Sequence, residues 1–575
     1  MDYQAVQKAV KQYIDKYIPA TAVGHQQQFD YSALRKIALK VGVSTAVVYF
    51  IFNVIIYRLY LHPLRKMPGP KKLSSKFLPF LGNYPEVVKE KETGQVMNKW
   101  AKQFGGILAF YGPWNRPRVL VTDDQLLKQV LTTREYDFVK TPEASRFLKG
   151  ILGNGVLLAE GAAHRLQRKM LNPAFSVNNI RAFVPLMAKP GYQLRSKWLD
   201  VIKGKENKVK RQTNDDGIIA ADSNQEEQEE ETFTELEVSS GLSLAALDVI
   251  GWALGEDFKS LESAGTHHQS KLSQAYLHIF SNDMSMMRIL AFIFPFLSKL
   301  PTERNRRIKR DLKWLEEESR ALVQRGMNRV AKAKAVGINL NHPANNRHKD
   351  LLTTMIELVD DDTGKGLTLE EIRNQCLTFL AAGHETTSVS LSWCLWLLAQ
   401  YQQIQDNLRA EVRTLFKEHD NNDGDINNVP TYDEINALPL LNNVVRETLR
   451  LIPPVPYTSR ITRVPCRFGF IFVFLNILGN HHSETIWGED AKEFNPYRWE
   501  EGSGRPLGNA YQYMPFLAGG RQCIGYKFAL VEFKLLLAIL IKDIQYFEKP
   551  GFQVTKKQQL TLRPFPNMQL WAKAI

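Results

Sequence analysis

The stretch FLAGGRQCIGYKFALVEF, Phe516 to Phe533, decides more about this chain than any other. A lone cysteine is usually a small buried apolar side chain, and Cys376, Cys394 and Cys466 take that reading. Cys523 differs because of its neighbours. Gly519, Gly520 and Gly525 let the backbone turn tightly and approach a flat ligand closely, and Arg521 adds positive charge. A helical pattern begins directly afterwards, which places the sulfur near a helix N-terminus, where backbone amides and the macrodipole lower a thiol pKa. A thiolate so placed is a nucleophile or a metal ligand. A nucleophile needs a base that can come from anywhere in the fold, so this stretch alone leaves both open.

Working outward, QCLTFLAAGHETTSVSLSWCLWLLAQ, Gln375 to Gln400, is long, nearly all apolar and helical in spacing, as expected of a helix at the centre of a large domain. A carboxylate at Glu385 in so apolar a helix is costly without a role. Further helical stretches run over Asp311 to Val330, Leu440 to Leu451 and Lys527 to Ile541. Strand-like alternation is sparse, near Ile107 to Phe110, Val119 to Val121 and Ile471 to Phe474. The expected fold is mainly α with a small β-sheet region.

The 575 residues, 44% of them apolar, suffice for one large core or two smaller ones. A net charge of +14 admits nucleic acid, anionic membrane or acidic protein as partner, but the basic residues are dispersed and no nucleic-acid motif accompanies them. Membrane and protein partners are favoured, and nucleic acid is not expected. The four cysteines are spaced neither as a zinc site nor as a disulfide framework, which assigns the bulk of the chain to a reducing compartment.

A polar N-terminal segment, residues 1–36, precedes an apolar one, 37–61, whose centre VGVSTAVVYFIFNVIIY, Val41 to Tyr57, is uncharged. It reaches the roughly 20 residues a bilayer helix needs if Arg58 snorkels outward. A cleaved signal peptide would carry its apolar run nearer the start, so an uncleaved transmembrane anchor fits better than that or than a buried core helix. Arg58, Arg65, Lys66, Lys71 and Lys72 follow the run and Arg35, Lys36 and Lys40 precede it, which leans toward a cytosolic body. Pro63, Pro68 and Pro70 make a stiff hinge over 62–72. The body then occupies 73–575, interrupted by the charged, apolar-poor stretch 203–232, expected to be a disordered loop. The DNNDGD run, Asp420 to Asp425, lacks the register of a calcium loop around Gly424 and reads as a polar loop.

The pattern F-x-x-G-x-R-x-C-x-G, filled by Phe516, Gly519, Arg521, Cys523 and Gly525, resembles the haem-binding signature of the cytochrome P450s, with Ala529 at a further frequent position. AAGHETTS, Ala381 to Ser388, is similar to that family's oxygen-activating motif. ETLR with Glu447 and Arg450, together with Arg498 in FNPYRW, resembles its Glu-Arg-Arg structural triad. GAAHRLQRKMLNPAF, Gly161 to Phe175, resembles its propionate-reaching segment. The resemblance implies haem b, iron protoporphyrin, with Cys523 as axial thiolate. It implies a proton relay through Glu385 and Thr386 to the distal oxygen, with Gly383 making room for dioxygen over the iron. It also implies that His164, Arg168, Arg460 and Arg521 reach the propionates.

On this reading the chain is a monooxygenase inserting one oxygen atom of dioxygen into a small lipophilic substrate, a fatty acid, steroid or terpenoid. Electrons come from a separate NADPH-dependent flavoprotein reductase that docks through basic residues such as Lys169 and Lys527. The location expected is the endoplasmic reticulum membrane, single-pass, with the catalytic domain in the cytosol. The substrate pocket would be lined by the loop from Phe147 to Val156, by Phe379 and Ala382, and by Val455 to Tyr457, mostly apolar positions. The sequence departs from the family between Arg460 and Phe472, where ITRVPCRFGF is shorter than usual and lacks the family's strand lead-in. An altered sheet beside the haem would leave a different class open: an impaired haem protein or lipophile binder.

Overall fold

The computed structural model describes residues 12, 31–70, 80–204, 233–264, 271–279, 294, 297, 299–336, 350–360, 364–416, 429–465, 469–503 and 509–575. Most of the stretch 203–232 and all of Asp420 to Asp425 lie outside the described residues. The chain divides into two units, Met1–His62 and Pro63–Ile575.

In the first unit, α1 (Tyr31–Ile51) runs on into a wider helical turn, Phe52–Leu61. The span Arg35–Lys66 has a mean hydropathy of 2.0 and is long and apolar enough to cross a membrane. Val41, Val47, Val48 and Phe50 expose large apolar surfaces, which water disfavours and lipid accommodates. The polar Asn53 donates its amide to the Tyr49 carbonyl at 3.0 Å, one turn back, so this side chain is satisfied within the helix itself.

The second unit is mainly helical. Its principal helices are α2 (Gln95–Phe104), α3 (Pro142–Leu152), α4 (Gly161–Leu171), α5 (Val177–Gly204), α6 (Val238–Ala253), α7 (Glu303–Ala335), α8 (Leu369–Gln400), α9 (Gln402–Phe416), α10 (Pro439–Leu451) and α11 (Tyr526–Asp543). α8 starts at a capping box: the Thr368 hydroxyl accepts from the Glu371 amide while the Glu371 carboxylate accepts from the Thr368 amide at 2.9 Å. From there it is buried along most of its length, packed by α6, α3, α7 and α11. α11 buries Leu535 to Ile541 completely, its leucines and isoleucines each worth roughly 1.5–3 kcal/mol of hydrophobic stabilisation.

Two prolines, Pro185 and Pro190, sit inside α5. Helix persists through them because Ile180, Phe183, Val184, Met187, Gly191, Leu194 and Trp198 form one buried face at helical spacing. Gly191 lets that face close on α11, since a Cβ there would fall 2.8 Å from Leu536. The helix also carries the chain to Gly204, so the first residues of the expected loop at 203 are helical.

Among the described residues, three small sheets flank the helices. The largest has the order β1-β2-β6-β5-β3, built from β1 (Ile107–Tyr111), β2 (Pro117–Val121), β3 (Phe138–Val139), β5 (Tyr457–Thr462) and β6 (Phe472–Asn476). Its β2–β6 pairing is parallel, Val119 opposite Val473, and the others are antiparallel. A second sheet joins β4 (Thr234–Glu237), β10 (Gln569–Ala574) and β7 (Ile544–Glu548), and β8 (Thr555–Gln558) pairs with β9 (Leu562–Phe565). The shortened connection after Arg460 does not prevent the sheet from closing: Ile461 stands opposite Phe472, and the Thr462 amide donates to the Ile471 carbonyl at 3.1 Å.

Candidate functional site

The loop before α11 is closed on itself, the Cys523 amide donating to the Phe516 carbonyl at 2.9 Å. Leu517 and Gly519 take positive φ, 59° and 72°, and a Cβ on Gly519 would collide with the Leu131 carbonyl. Glycine at 519 is thus demanded by backbone contact within the chain itself. The Gly520 amide donates to Glu135 at 2.7 Å, and Arg168 of α4 donates to the Gln522 carbonyl at 2.5 Å. The Phe516 ring lies 6.1 Å from that of Tyr526, the first residue of α11, whose N-cap is Gly525.

Cys523 therefore stands where the sequence predicts, at the entrance to a helix, and its surface is accessible, whereas Cys376 and Cys394 are buried. The expected lowering of its thiol pKa is not found. Although part of its surface is accessible, the protein packed around the sulfur desolvates it and pushes the thiol above its ordinary value, outweighing the Gly525 amide and the Arg168 charge, which act the other way. Desolvation of a lone thiolate exceeds what one amide and one guanidinium return.

Beside this loop the structure gathers positive charge. Arg521 pairs with Glu160 and donates to the Ala159 carbonyl at 3.1 Å, while its Nε is buried without a partner among the described residues. Arg460, on β5, donates to Thr458 and to its neighbour's carbonyl, and burial together with Arg521 pushes its pKa down to about 10. Lys140, which sequence reading did not single out, is pushed down to about 7 by burial, Arg460 and Arg521, against the opposing pull of Glu160. His164 is pushed down to about 4 by burial and by the charges of Arg521, Lys140 and Arg168, so it is neutral at pH 7, its Nδ1 bonded to the Tyr136 hydroxyl at 3.0 Å. These cations depress one another because Glu160 and Glu135 are too few to balance them.

The central helix presents its motif differently from expectation in one respect. Gly383 is turned toward α6, where a Cβ would lie 3.2 Å from Ile250, so its smallness serves helix packing. Glu385 is fully buried, accepting from the Thr561 hydroxyl at 2.7 Å and pairing with Arg563 of β9 at 3.3 Å, with its second oxygen unpartnered among the described residues. Thr386 keeps part of its surface accessible and returns its hydroxyl to the Ala382 carbonyl at 2.8 Å. The next threonine, Thr387, lies 3.3 Å from Glu532 of α11, whose carboxyl burial pushes well above its ordinary value. No spacing rule in the sequence links Glu385 to Thr561 and Arg563, or Thr387 to Glu532; those contacts are set by tertiary packing.

Glu447, Arg450 and Arg498 do come together. Glu447 accepts from Arg450 through both oxygens at 2.8 Å and from Arg498 at 2.8 Å, with all three side chains at most 1% exposed. Trp499 and the Asn495 amide complete its shell. Arg450 also donates to the carbonyls of His481, Ala491 and Glu493, locking the segment that leads to the Cys523 loop.

On the substrate side, Pro142–Leu152 is helix, so the expected loop from Phe147 begins only at Gly153. Phe379 is buried edge-on against Phe175, 5.3 Å away, while Ala382, Val455 and Tyr457 remain partly accessible.

An accessible thiol at a helix entrance, flanked by an excess of buried cations with an unpaired Arg521 Nε, fits a flat metal macrocycle bearing two carboxylates. That is the donor set of a haem-thiolate protein: a soft ligand for iron and guanidinium partners for propionates. The cytochrome P450 family model matches residues 73–570, and the chain belongs to that family. It is 30% identical to a cytochrome P450 monooxygenase, number 205, of Postia placenta, over 93% of this chain and 94% of the relative. It is 29% identical to cytochrome P450 monooxygenase sphH of Aspergillus fumigatus, over 89% of each chain. It is 28% identical to a cytokinin hydroxylase of Arabidopsis thaliana, over 83% of this chain and 82% of the relative. The chain is accordingly an oxidoreductase of the haem-thiolate monooxygenase class.

Proposed function

We propose that Cys523 ligates the haem iron and that Arg460, Arg521, His164 and Arg168, joined by Lys140, hold the propionates. The observation that carries this is the buried excess of cations next to an accessible thiol: two added carboxylates balance Lys140, Arg460 and Arg521, and a bound cation at the sulfur removes the desolvation penalty on the thiolate. Bound haem supplies the activation of dioxygen. The chain's own residues exclude water, hold the substrate and deliver protons through Thr386, with Glu385 as their source. The hold of Thr561 and Arg563 on Glu385 favours a second duty for that carboxylate, anchoring the β8–β9 turn to α8.

The substrate is a small lipophile of the fatty-acid, steroid or terpenoid kind, in keeping with the apolar positions around Ala382 and Val455. A separate NADPH-dependent flavoprotein reductase supplies electrons, and Arg35–Lys66 anchors the chain in the endoplasmic reticulum membrane with its body in the cytosol. Pairing of β5 with β6 supports an active enzyme over an impaired one.

The carbon monoxide difference spectrum of the reduced protein tests the ligand. A thiolate-type band is expected from the wild type and its loss from Cys523→Ala; a thiolate band retained by that variant refutes the assignment.

A further inference from the structure

Gln375 lies in the first half of α8, fully buried, and both ends of its amide are engaged. Its Oε1 accepts the Val156 amide at 2.8 Å and its Nε2 donates to the Gln167 side-chain oxygen at 2.9 Å. The orientation is forced, because a backbone N–H can only donate and so must face the oxygen. Gln167 sits on α4 between His164 and Arg168, and Val156 belongs to the segment that follows α3. One turn further along α8, Thr378 donates to the Leu152 carbonyl at 2.8 Å. The segment lies flush on the helix: a Cβ at Gly155 would come 2.8 Å from the Asn374 carbonyl and the Gln375 oxygen, and Gly153 has φ +65° with a Cβ site 3.0 Å from the Asn374 Cα. The side chain therefore joins three pieces of the site: the strip leading from α3, the central helix, and the helix that carries two of the propionate donors.

We propose that Gln375 is a positioning residue that fixes where Gly153–Val156 stands over the substrate space and couples it to α4, an inference that rests on the haem-site reading above. An apolar side chain of similar volume fills the same space but leaves the Val156 amide and the Gln167 oxygen buried without partners. Glutamate keeps the acceptor for Val156, and the Gln167 amide can turn to donate to its second oxygen. The expected order of clamp strength is wild type, then Gln375→Glu, then Gln375→Leu.

The test uses the full-length holoprotein in detergent and two azole probes read by absorbance: imidazole, which is too small to touch the strip, and clotrimazole, which is bulky. For Gln375→Leu the clotrimazole Kd rises roughly tenfold, about 1.4 kcal/mol, while imidazole moves less than about twofold and the reduced carbon monoxide spectrum is unchanged; Gln375→Glu falls between. In parallel, amide hydrogen exchange of peptides covering Gly153 to Ala159 accelerates in Gln375→Leu and is partly restored in Gln375→Glu. Unchanged exchange in those peptides, or a clotrimazole shift no larger than that of imidazole, overturns the proposal. A wild type that takes up no haem rejects the haem-site reading instead, and the exchange comparison then decides the clamp by itself.

Discussion

Glu447→Gln removes one charge from a cluster whose members are at most 1% exposed to solvent. Five donors converge on this carboxylate: Arg450 Nε and Nη2, Arg498 Nε, Trp499 Nε1 and the Asn495 amide. A glutamine presents an NH₂ group where only donors surround it, so at least one hydrogen bond becomes a donor–donor conflict. Arg498 retains Asp490 at 3.1 Å, whereas Arg450 is left with backbone carbonyls alone. Breaking a buried ion pair by neutralising one member costs ~3–5 kcal/mol, a large part of the ~5–15 kcal/mol that holds a typical domain together. Urea unfolding of the detergent-solubilised protein, followed by the fluorescence of Trp487 and Trp499 beside the cluster, measures it. An unchanged slope with a midpoint shift worth less than about 1 kcal/mol, the level of an exposed ion pair, refutes the reasoning.

Gly519→Ala forces a Cβ into the Leu131 carbonyl at a positive φ, so haem content after purification should fall severalfold; normal content means that the loop relaxes at no cost. His481 is held down to about 3 by burial and the Arg450 charge, and His482 to about 4, mainly by burial. Between those values and the usual 6.5 the unfolded chain binds more protons than the folded one, so stability is complete above pH 6.5 and declines as pH falls, by about 1.4 kcal/mol per unit and histidine. A urea midpoint that does not change between pH 7 and 5 contradicts this. Thr386→Ala should keep the haem while raising peroxide release relative to oxygen consumed, and unchanged coupling counts against its place in the relay. Thr368→Ala opens the capping box of α8 and should cost ~1 kcal/mol in the same unfolding assay.

The buried helices were legible where apolar spacing was uninterrupted. Gln375–Gln400, Leu440–Leu451 and Lys527–Ile541 all lie within observed helices, and the strands expected near Ile107, Val119 and Ile471 all form. α5 was hidden by Pro185 and Pro190, whose local cost is overridden by a buried face that becomes visible only when α11 packs on it. The Cys523 loop could be placed from its own residues, because glycine and helix-start chemistry are local. Lys140, Glu160 and Gln375 could not: a lysine in FVKT, a glutamate before a helix and a glutamine in an apolar run carry no local mark, and Glu160 meets Arg521 and Gln375 meets Val156 only through tertiary packing. The direction of the thiol shift is illegible for a related reason, since the helix entrance is visible in sequence and the protein packed around the sulfur is not.

The parallel register of β2 with β6 joins parts of the chain that lie far apart in the sequence. Val119 and Val473 are neighbours, so their pairing closes a loop of more than half the chain. Closing so long a loop carries an entropic cost that must be met before the non-local contacts reward it, and pairings of this kind are intrinsically slow to form. Arg460 rides on β5, the next strand over, while His164 and Arg168 belong to the early half of the chain. The cationic end of the site thus comes into being only when the first and last portions of the polypeptide meet. During synthesis, the half of the chain that carries His164 and Arg168 emerges before the strand that carries Arg460.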